Sequence, residues 1–218
     1  MKAREPERRS YQQFCGVARA LDVVGERWTL LIVRNLLLGP RRYSDLLAEL
    51  PGITTNLLAK RLRELEAGGL VARREAAGVA TYELTDRGAA LEPVIIELGR
   101  WGWALMDEPR PGDRVDLALG LISLKRRYAG GAKLTVRLQA GARAFTLRMT
   151  PEALVVRDRA PDSPDLTIAG AEPALRALLV QRQDAAALRA SGAVSVEGAA
   201  RDWTRFVAAL GLVEGAAA

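Results

Sequence analysis

Apolar residues in the first part of the chain recur at the three- and four-residue spacing of amphipathic helices. This spacing predicts helices over residues 17–24 and 28–38, the second followed by a turn at Gly39 and Pro40. Ser44 is expected to cap a short third helix, which a proline-glycine pair would end. The chain is therefore predicted to begin as a series of short helices joined by tight turns.

A longer amphipathic helix is predicted over residues 54–67, with Thr54 or Thr55 as its N-cap. Two β segments follow over residues 70–75 and 81–85, and the short stretch between them is predicted to form a hairpin turn. Helix, tight turn, helix and hairpin in this order are typical of a winged helix-turn-helix, whose second helix enters the DNA major groove. The predicted buried stripe of that helix consists of Leu58, Leu62 and Leu65.

A further helix, predicted over residues 86–106, has an apolar stripe broader than a small winged-helix domain can cover by itself. Pro93 is expected to bend this helix or to lie in its first turns. The stripe favours a homodimer, and packing against the second half of the chain is the alternative. The predicted dimerisation residues are Leu91, Val94, Ile95, Leu98, Trp101 and Leu105.

Two prolines and a glycine among charged residues over 107–113 indicate a linker between two domains. Residues 1–107 form the predicted DNA-binding and dimerisation domain, and residues 113–215 show the period-two alternation of β-strands. The predicted fold class is therefore α+β, a winged helix-turn-helix followed by a smaller domain with one sheet and helices on one of its faces. The predicted strands of this smaller domain cover residues 133–139, 143–149, 152–158, 165–169 and 194–196, and its helices 171–181, 184–190 and 201–210.

Polar side chains on the 54–67 helix project away from its leucine stripe. Asparagine can pair with adenine and arginine with guanine, so this face suits base recognition, while Arg61 and the arginines before and after the helix suit phosphates. A helix that is simply exposed to solvent would have the same pattern. For the arginines on the hairpin, the alternative role is to discourage pairing of the sheet edge with another strand. The predicted DNA-contacting residues are Arg41, Arg42, Ser44, Thr54, Thr55, Asn56, Lys60, Arg61, Arg63, Arg73 and Arg74.

The composition narrows the possible functions. A formal net charge of +6 favours polyanionic partners such as double-stranded DNA. The chain has no histidine and a single cysteine, which excludes Ser-His-Asp catalysis, histidine-ligated metals and a four-thiolate zinc site. It also lacks a phosphate-binding loop motif and a long apolar run. We therefore expect no metal, no cofactor, no enzymatic activity and no membrane span, in a cytoplasmic protein.

The stretch CGVARALDVVGERWTLLIVRNLLLGPRRYSDL, beginning at Cys15, closely resembles the HxlR family of bacterial winged-helix regulators. Further motifs match in the same order, among them LAKRLREL from Leu58 and YELT from Tyr82, so the resemblance covers nearly all of residues 11–105. It implies a dimer built from the first and last helices, with one recognition helix for each DNA half-site. The hairpin turn lacks the proline and basic residue usual in the family, and the chain continues well beyond the family's single domain.

Cys15 matches the N-terminal cysteine that senses oxidants or electrophiles in some members of this family. Arg19, one helical turn on, is expected to lower the pKa of the thiol. The alternative is a small buried apolar side chain. Because the chain has no second cysteine, oxidation would have to end in an intermolecular disulfide or an adduct with a small thiol.

The second half resembles the sterol carrier protein type 2 family in the motif PDLTIAG, in SGAVSVEG and in the order of its strands, over residues 113–212. Proteins of that family hold lipids between sheet and helices. The alternative is an ordinary closed core, because a sequence shows apolar residues but no empty space. The predicted pocket residues are Val136, Leu138, Phe145, Leu147, Leu178, Trp203 and Phe206.

The sequence therefore predicts a sequence-specific DNA-binding transcriptional regulator, a repressor, controlled by an apolar small molecule bound in the C-terminal domain. One alternative is a regulator that senses oxidants through Cys15. The other is a lipid-binding carrier whose winged helix contacts proteins instead of DNA.

Overall fold

A computed structural model describes residues 10–76, 78–106 and 109–215 of the chain. It confirms the predicted fold class, since a winged helix-turn-helix with a small sheet is followed by a larger sheet with helices. Within these three ranges, no helix is both long and apolar enough to cross a membrane.

The first of two compact units takes its residues from Met1–Leu36 and Pro40–Glu92. Its elements are α1 (Gly16–Val24), α2 (Thr29–Leu36), β1 (Arg41–Arg42), α3 (Tyr43–Glu49), α4 (Thr55–Ala67), β2 (Val71–Ala76), β3 (Val79–Leu84) and α5 (Asp86–Ala89). The strands form an antiparallel sheet in the order β1-β3-β2. The predicted order of helix, turn, helix and hairpin is therefore confirmed.

Helix α4 is anchored at its start and along one face. The three leucines of its predicted stripe are buried, as expected. The hydroxyl oxygen of Thr54 accepts a hydrogen bond from the backbone N–H of Leu57 at 3.3 Å, which confirms Thr54 as the N-cap. The Tyr43 hydroxyl donates to the carbonyl oxygen of Thr55 at 2.6 Å. This bond joins the first residue of α3 to the first residue of α4 and fixes the turn between them.

The predicted cap at Ser44 is wrong, because α3 begins at Tyr43 and Arg42 occupies the N-cap position. The Asp45 carboxylate accepts a hydrogen bond from the Arg42 backbone N–H at 3.1 Å. A carboxylate in the first helical turn that bonds back to the cap residue satisfies a free backbone donor and suits the positive end of the helix dipole. A serine hydroxyl at the cap was therefore unnecessary.

The helix predicted over residues 86–106 is divided into α5 and α6 (Glu92–Trp103). Pro93 lies in the first turn of α6, where the missing backbone N–H leaves no helical hydrogen bond unmade. This outcome is one of the two expected for that proline. From Pro93 onward, α6 belongs to the second compact unit.

The second unit takes its residues from Leu37–Gly39 and Pro93–Ala218. After α6 its elements are α7 (Leu117–Leu124), β4 (Leu134–Ala140), β5 (Arg143–Met149), β6 (Leu154–Arg157), β7 (Leu166–Gly170), α8 (Glu172–Leu179), α9 (Ala185–Ala190), β8 (Val194–Gly198) and α10 (Ala200–Leu210). The sheet order is β6-β5-β4-β7-β8, and the β4–β7 pair is parallel while the other pairs are antiparallel. Every predicted strand and helix of this unit is found within two residues of its expected bounds.

Helix α7 was not predicted from the sequence. Its residues LALGLISL are almost continuously apolar, so they lack the periodicity by which a surface helix is recognised. Leu117, Leu121 and Leu124 are fully buried in the core that the sheet shares with α8 and α10. A helix buried on most of its circumference has no polar face to reveal it.

Candidate nucleic-acid interface

The side of α4 opposite the buried leucines carries a row of exposed polar side chains. Thr55, Asn56, Lys60 and Arg63 are all exposed, at the spacing of one helical face. Lys60 lies 3.9 Å from Glu64, both being largely exposed. Exposed ion pairs of this kind contribute little and are readily exchanged for a phosphate or a base. The structure thus brings four of the predicted DNA-contacting residues together on one accessible surface.

Further polar residues flank this surface. Arg42, Ser44 and Thr54 are exposed at the starts of α3 and α4. In the sheet, Arg42 and Arg74 are both aligned with Thr81 of β3, so the two arginines share one face. Their exposure leaves them accessible to a phosphate backbone.

The arginines of the hairpin have carboxylate neighbours. Arg74 donates to Glu83 at 2.7 Å, and Arg73 lies 3.7 Å from Glu75. All four side chains are solvent-accessible, so these pairs are weak and screened by salt. This geometry fits both roles predicted for Arg73 and Arg74. They could bind phosphates, or they could be solvated charges that discourage pairing at the sheet edge.

Arg41 does not lie on the exposed surface. It is 7 % exposed, and its Nε donates to Glu49 at 3.1 Å while Nη1 donates to the carbonyl oxygen of Pro40. Glu49 also accepts from the buried side-chain amide of Asn35. This network joins α2, β1 and α3 internally, and the structure gives Arg41 a partner other than the predicted phosphate.

Arg61 is likewise withdrawn from the α4 surface, at 6 % exposure. Its guanidinium is held by Glu26, Glu64 and a backbone carbonyl within the first unit. The sequence placed Arg61 among the phosphate ligands because arginines on a basic helix usually face the DNA. The signal for a different role was Glu64 three residues further on, at the spacing of an intrahelical ion pair.

Exposed apolar residues are concentrated on and around α6 and α1. On α6, Val94, Leu98 and Trp101 are exposed and Ile95 is buried, while Leu91 just before the helix is half-buried. Leu105 beyond the helix is exposed as well. Sequence reasoning left unnamed the exposed apolar residues at and before α1, namely Tyr11, Phe14, Val17 and Leu21.

Cys15 is exposed and occupies the N-cap position of α1, so the alternative of a buried apolar side chain is wrong. The backbone N–H groups of Ala18 and then Val17 lower the pKa of its thiol, although neither forms a well-aligned cap hydrogen bond. The sequence predicted Arg19 as the cause of a lowered pKa. Arg19 instead lies 3.6 Å from Asp22 and pairs with that carboxylate. A lowered thiol pKa increases the fraction of the reactive thiolate.

The predicted pocket residues of the second unit all lie in one apolar core between the sheet and the helices. Six of the seven are completely buried, and Trp203 is 5 % exposed. The indole N–H of Trp203 donates to Glu214 at 2.6 Å, and the Arg189 guanidinium lies over its ring. Among the described residues, no group of acidic or cysteine side chains is arranged to hold a metal ion.

Comparison with known proteins gives a match to each half of the chain. Residues 23–109 match the family model for HxlR-like helix-turn-helix proteins. Residues 119–215 match the family model for the alkyl sulfatase C-terminal region. This match does not show the sterol carrier family expected from the sequence, which stays a prediction.

The first half is similar to regulators from Bacillus subtilis. The HTH-type transcriptional regulator YvaP is 39% identical over 92 residues, which cover 41% of this chain and 85% of YvaP. The HTH-type transcriptional regulator YodB is 35% identical over 99 residues, covering 44% of this chain and 86% of YodB. Among solved structures, the redox regulator HypR in its oxidized form is 33% identical, covers 43% of this chain and 100% of its own, and has a TM-score of 0.41.

Proposed function

Because the chain belongs to the HxlR-like helix-turn-helix family of DNA-binding transcriptional regulators, we propose that helix α4 recognises operator DNA in the major groove. The observation that carries this proposal is the accessible face of α4, on which Thr55, Asn56, Lys60 and Arg63 lie together opposite a buried leucine stripe. A recognition helix needs one face that seats it in the protein and one that offers donors to base edges.

The side chains divide into two groups by chemistry. Asn56 and Arg63 have the bidentate geometry that adenine and guanine require, so we assign them to base recognition. Arg42, Arg73 and Arg74 flank α4 on the sheet and are assigned to phosphates, which position the protein without reading sequence. Arg41 and Arg61 are left out of this interface because they are buried in ion pairs.

We further propose that the chain acts as a homodimer through the domain predicted over residues 1–107. Val94, Leu98 and Trp101 are exposed apolar side chains on one face of α6, and such clusters mark interaction surfaces. Two α4 helices related by a two-fold axis would contact half-sites about one helical turn of DNA apart, or a multiple of it. Access to the chromosome is required of such a regulator, which favours the cytoplasm as its location.

For the domain over residues 113–215 we propose a sterol-carrier-like role, the binding of an apolar small molecule that releases the repressor from DNA. The support is that all seven predicted pocket residues converge between one sheet face and several helices; a closed core is the alternative, and lipid extraction from the purified protein distinguishes the two. Such a ligand controls DNA binding only if its affinity differs between the DNA-bound and free arrangements of the dimer.

A second candidate for the signal is oxidation of Cys15, which its exposure and lowered thiol pKa favour. Two Cys15 thiols from two protomers would form one disulfide, losing two protons and two electrons to a peroxide that is reduced to water or to an alcohol and water. Cross-linking of the dimer by peroxide should disappear in Cys15→Ser. Cross-linking that persists in that variant would contradict this candidate.

The experiment that tests DNA binding is fluorescence anisotropy on duplexes selected from a random pool by the wild-type protein. Selected duplexes should bind more tightly than scrambled ones, and the affinity should fall steeply with salt because each neutralised phosphate contributes about −0.9 to the log–log slope. Equal binding to both kinds of duplex would contradict operator recognition.

Mass spectrometry of lipids extracted from the purified protein distinguishes the regulator from the carrier alternative. The carrier alternative requires a bound lipid and no DNA selectivity.

A further inference from the structure

All three nitrogens of the Arg61 side chain are engaged inside the first unit. Nη2 donates to Glu26 at 2.5 Å, Nη1 donates to Glu64 at 2.6 Å, and Nε donates to the carbonyl oxygen of Arg27 at 3.2 Å. The side chain is 8 % exposed. Three of its five N–H groups are thus used inside the first unit, and burial of the side chain withdraws the other two from a phosphate, although Arg61 lies in the middle of the recognition helix.

Two of these three bonds leave α4 and end on one short segment. Glu26 and Arg27 belong to the connection between α1 and α2, whereas Glu64 lies on α4 itself. Glu26 and Glu64 are equally exposed, each with 48 % of its side chain accessible. The two carboxylates thus resemble each other in chemistry and exposure and differ in the element they connect to Arg61.

The segment that Arg61 contacts is itself tightly defined. Trp28 has a φ of 81°, a left-handed conformation that a bulky residue rarely adopts, and its carbonyl oxygen accepts the first hydrogen bond of α2 from Ile32. The Arg27 guanidinium stacks over the Trp28 ring at 5.3 Å. A backbone held in a strained conformation by its surroundings is a rigid support for a side chain that must keep a fixed direction.

The leucine stripe of α4 cannot supply that direction by itself. Apolar contacts are non-directional, so they hold the helix against the core while allowing small rotations about its axis. A rotation of about 10° moves the surface of a helix with a radius of about 6 Å by about 1 Å. Such a shift is enough to misalign a bidentate hydrogen bond to a base. Charge-assisted hydrogen bonds from the planar guanidinium are directional and oppose this rotation.

We propose that Arg61 is a positioning residue that fixes the rotation of α4 through Glu26 and the Arg27 carbonyl, and so determines DNA sequence selectivity without touching DNA. This inference rests on the proposed function, because selectivity exists only if α4 recognises DNA. It replaces the phosphate contact expected for this arginine.

The test compares Glu26→Gln with Glu64→Gln by fluorescence anisotropy on selected and scrambled duplexes. Each variant removes one negative charge from an equally exposed side chain, so each should strengthen the nonspecific attraction to DNA in the same way. Glu26→Gln weakens the link between α4 and the α1–α2 connection and should lower the ratio of selected to scrambled affinity by about fivefold or more, comparable to the loss of one base contact. Glu64→Gln leaves that link intact and should leave the ratio unchanged, even if freeing Lys60 raises both affinities.

A second variant, Arg61→Lys, keeps the charge but cannot make the forked contacts to Glu26 and the Arg27 carbonyl. Positioning predicts a lower selectivity ratio, whereas a phosphate contact, which lysine can also make, predicts an unchanged ratio; because the charge is kept, the salt slope is unchanged in both cases. Circular dichroism and the melting temperature verify that each variant is folded, and Glu26→Gln, altering a half-exposed residue, tests the inference if Arg61→Lys does not fold.

An unchanged ratio in Glu26→Gln, or an equal fall in Glu64→Gln, would overturn the positioning role while leaving DNA recognition intact. If wild-type protein itself fails to discriminate between the duplexes, the proposed function is wrong and this inference falls with it. The wild-type measurement therefore distinguishes the two failures.

Discussion

Arg63 and Arg73 are both exposed arginines of the winged helix, and their positions predict different roles. Arg63 lies on the outer face of α4, while Arg73 lies on β2 beside Glu75. Arg63→Ala should reduce the binding free energy for the preferred duplex by about 1–3 kcal/mol and relax the sequence preference at the base that Arg63 contacts. Arg73→Ala should weaken all duplexes alike and reduce the salt slope by about 0.9. Anisotropy titrations at several salt concentrations measure both quantities, and identical behaviour of the two variants would contradict this division.

The thiol of Cys15 provides a second prediction for a single residue. Because the N–H groups of Ala18 and Val17 lower its pKa in the folded protein, the thiolate is favoured by folding. The rate of alkylation by iodoacetamide should therefore rise at lower pH in the native protein than in denaturant. Since the chain has one cysteine, the reaction reports this site alone. Identical pH profiles in the two states would show that the start of α1 does not activate the thiol.

At the level of elements, α7 is held at its start by Asp116, which caps the backbone N–H of Ala118 at 2.8 Å. The same carboxylate pairs with Arg114 at 2.5 Å and with Arg143 at 3.3 Å. Burial raises the pKa of Asp116, but the hydrogen bonds from Arg114 and Ala118 and the charge of Arg143 outweigh it, so the pKa is lowered.

Substitution of Asp116 should therefore destabilise the second unit in two steps. Asp116→Asn keeps a capping oxygen and loses the ion pairs, whereas Asp116→Ala also loses the cap, costing about 1 kcal/mol more. A lowered pKa means that the carboxylate stabilises the fold above its unfolded pKa and that this contribution is lost as the pH falls through the folded value. Urea denaturation at several pH values measures this, and a wild-type acid dependence equal to that of Asp116→Asn would contradict it.

The elements also show what sequence patterns can and cannot reveal. The cap at Thr54 and the alternating strands of the second unit were predictable because the responsible residues are local and periodic. Helix α7 was not, because burial on most sides removes the polar face that marks a helix. Glu64 indicated an ion pair for Arg61, but the burial of Arg41 and Arg61 was not predictable, since Glu49 and Glu26 become their partners only through tertiary packing.

For the whole molecule, the exposed apolar residues of α6 predict a dependence of DNA binding on assembly. Leu98→Gln should shift the protein from dimer towards monomer and lower affinity for a two-half-site duplex far more than for a single half-site. Glu97→Gln, on the neighbouring exposed position, serves as the matched control. Analytical ultracentrifugation gives the association state directly. A dimer unaffected by Leu98→Gln would mean that another surface joins the protomers.

The parallel pairing of β4 with β7 has a consequence for how the chain acquires its structure. Val136 pairs with Leu166, thirty positions later, so this ladder can close only after the intervening β5–β6 hairpin has been synthesised. The first unit ends at Glu92, so all of its elements are synthesised before any strand of the second sheet. The winged helix is thus expected to mature on the ribosome before the second unit, and limited proteolysis of ribosome-bound chains that end before Leu166 should find it already protected.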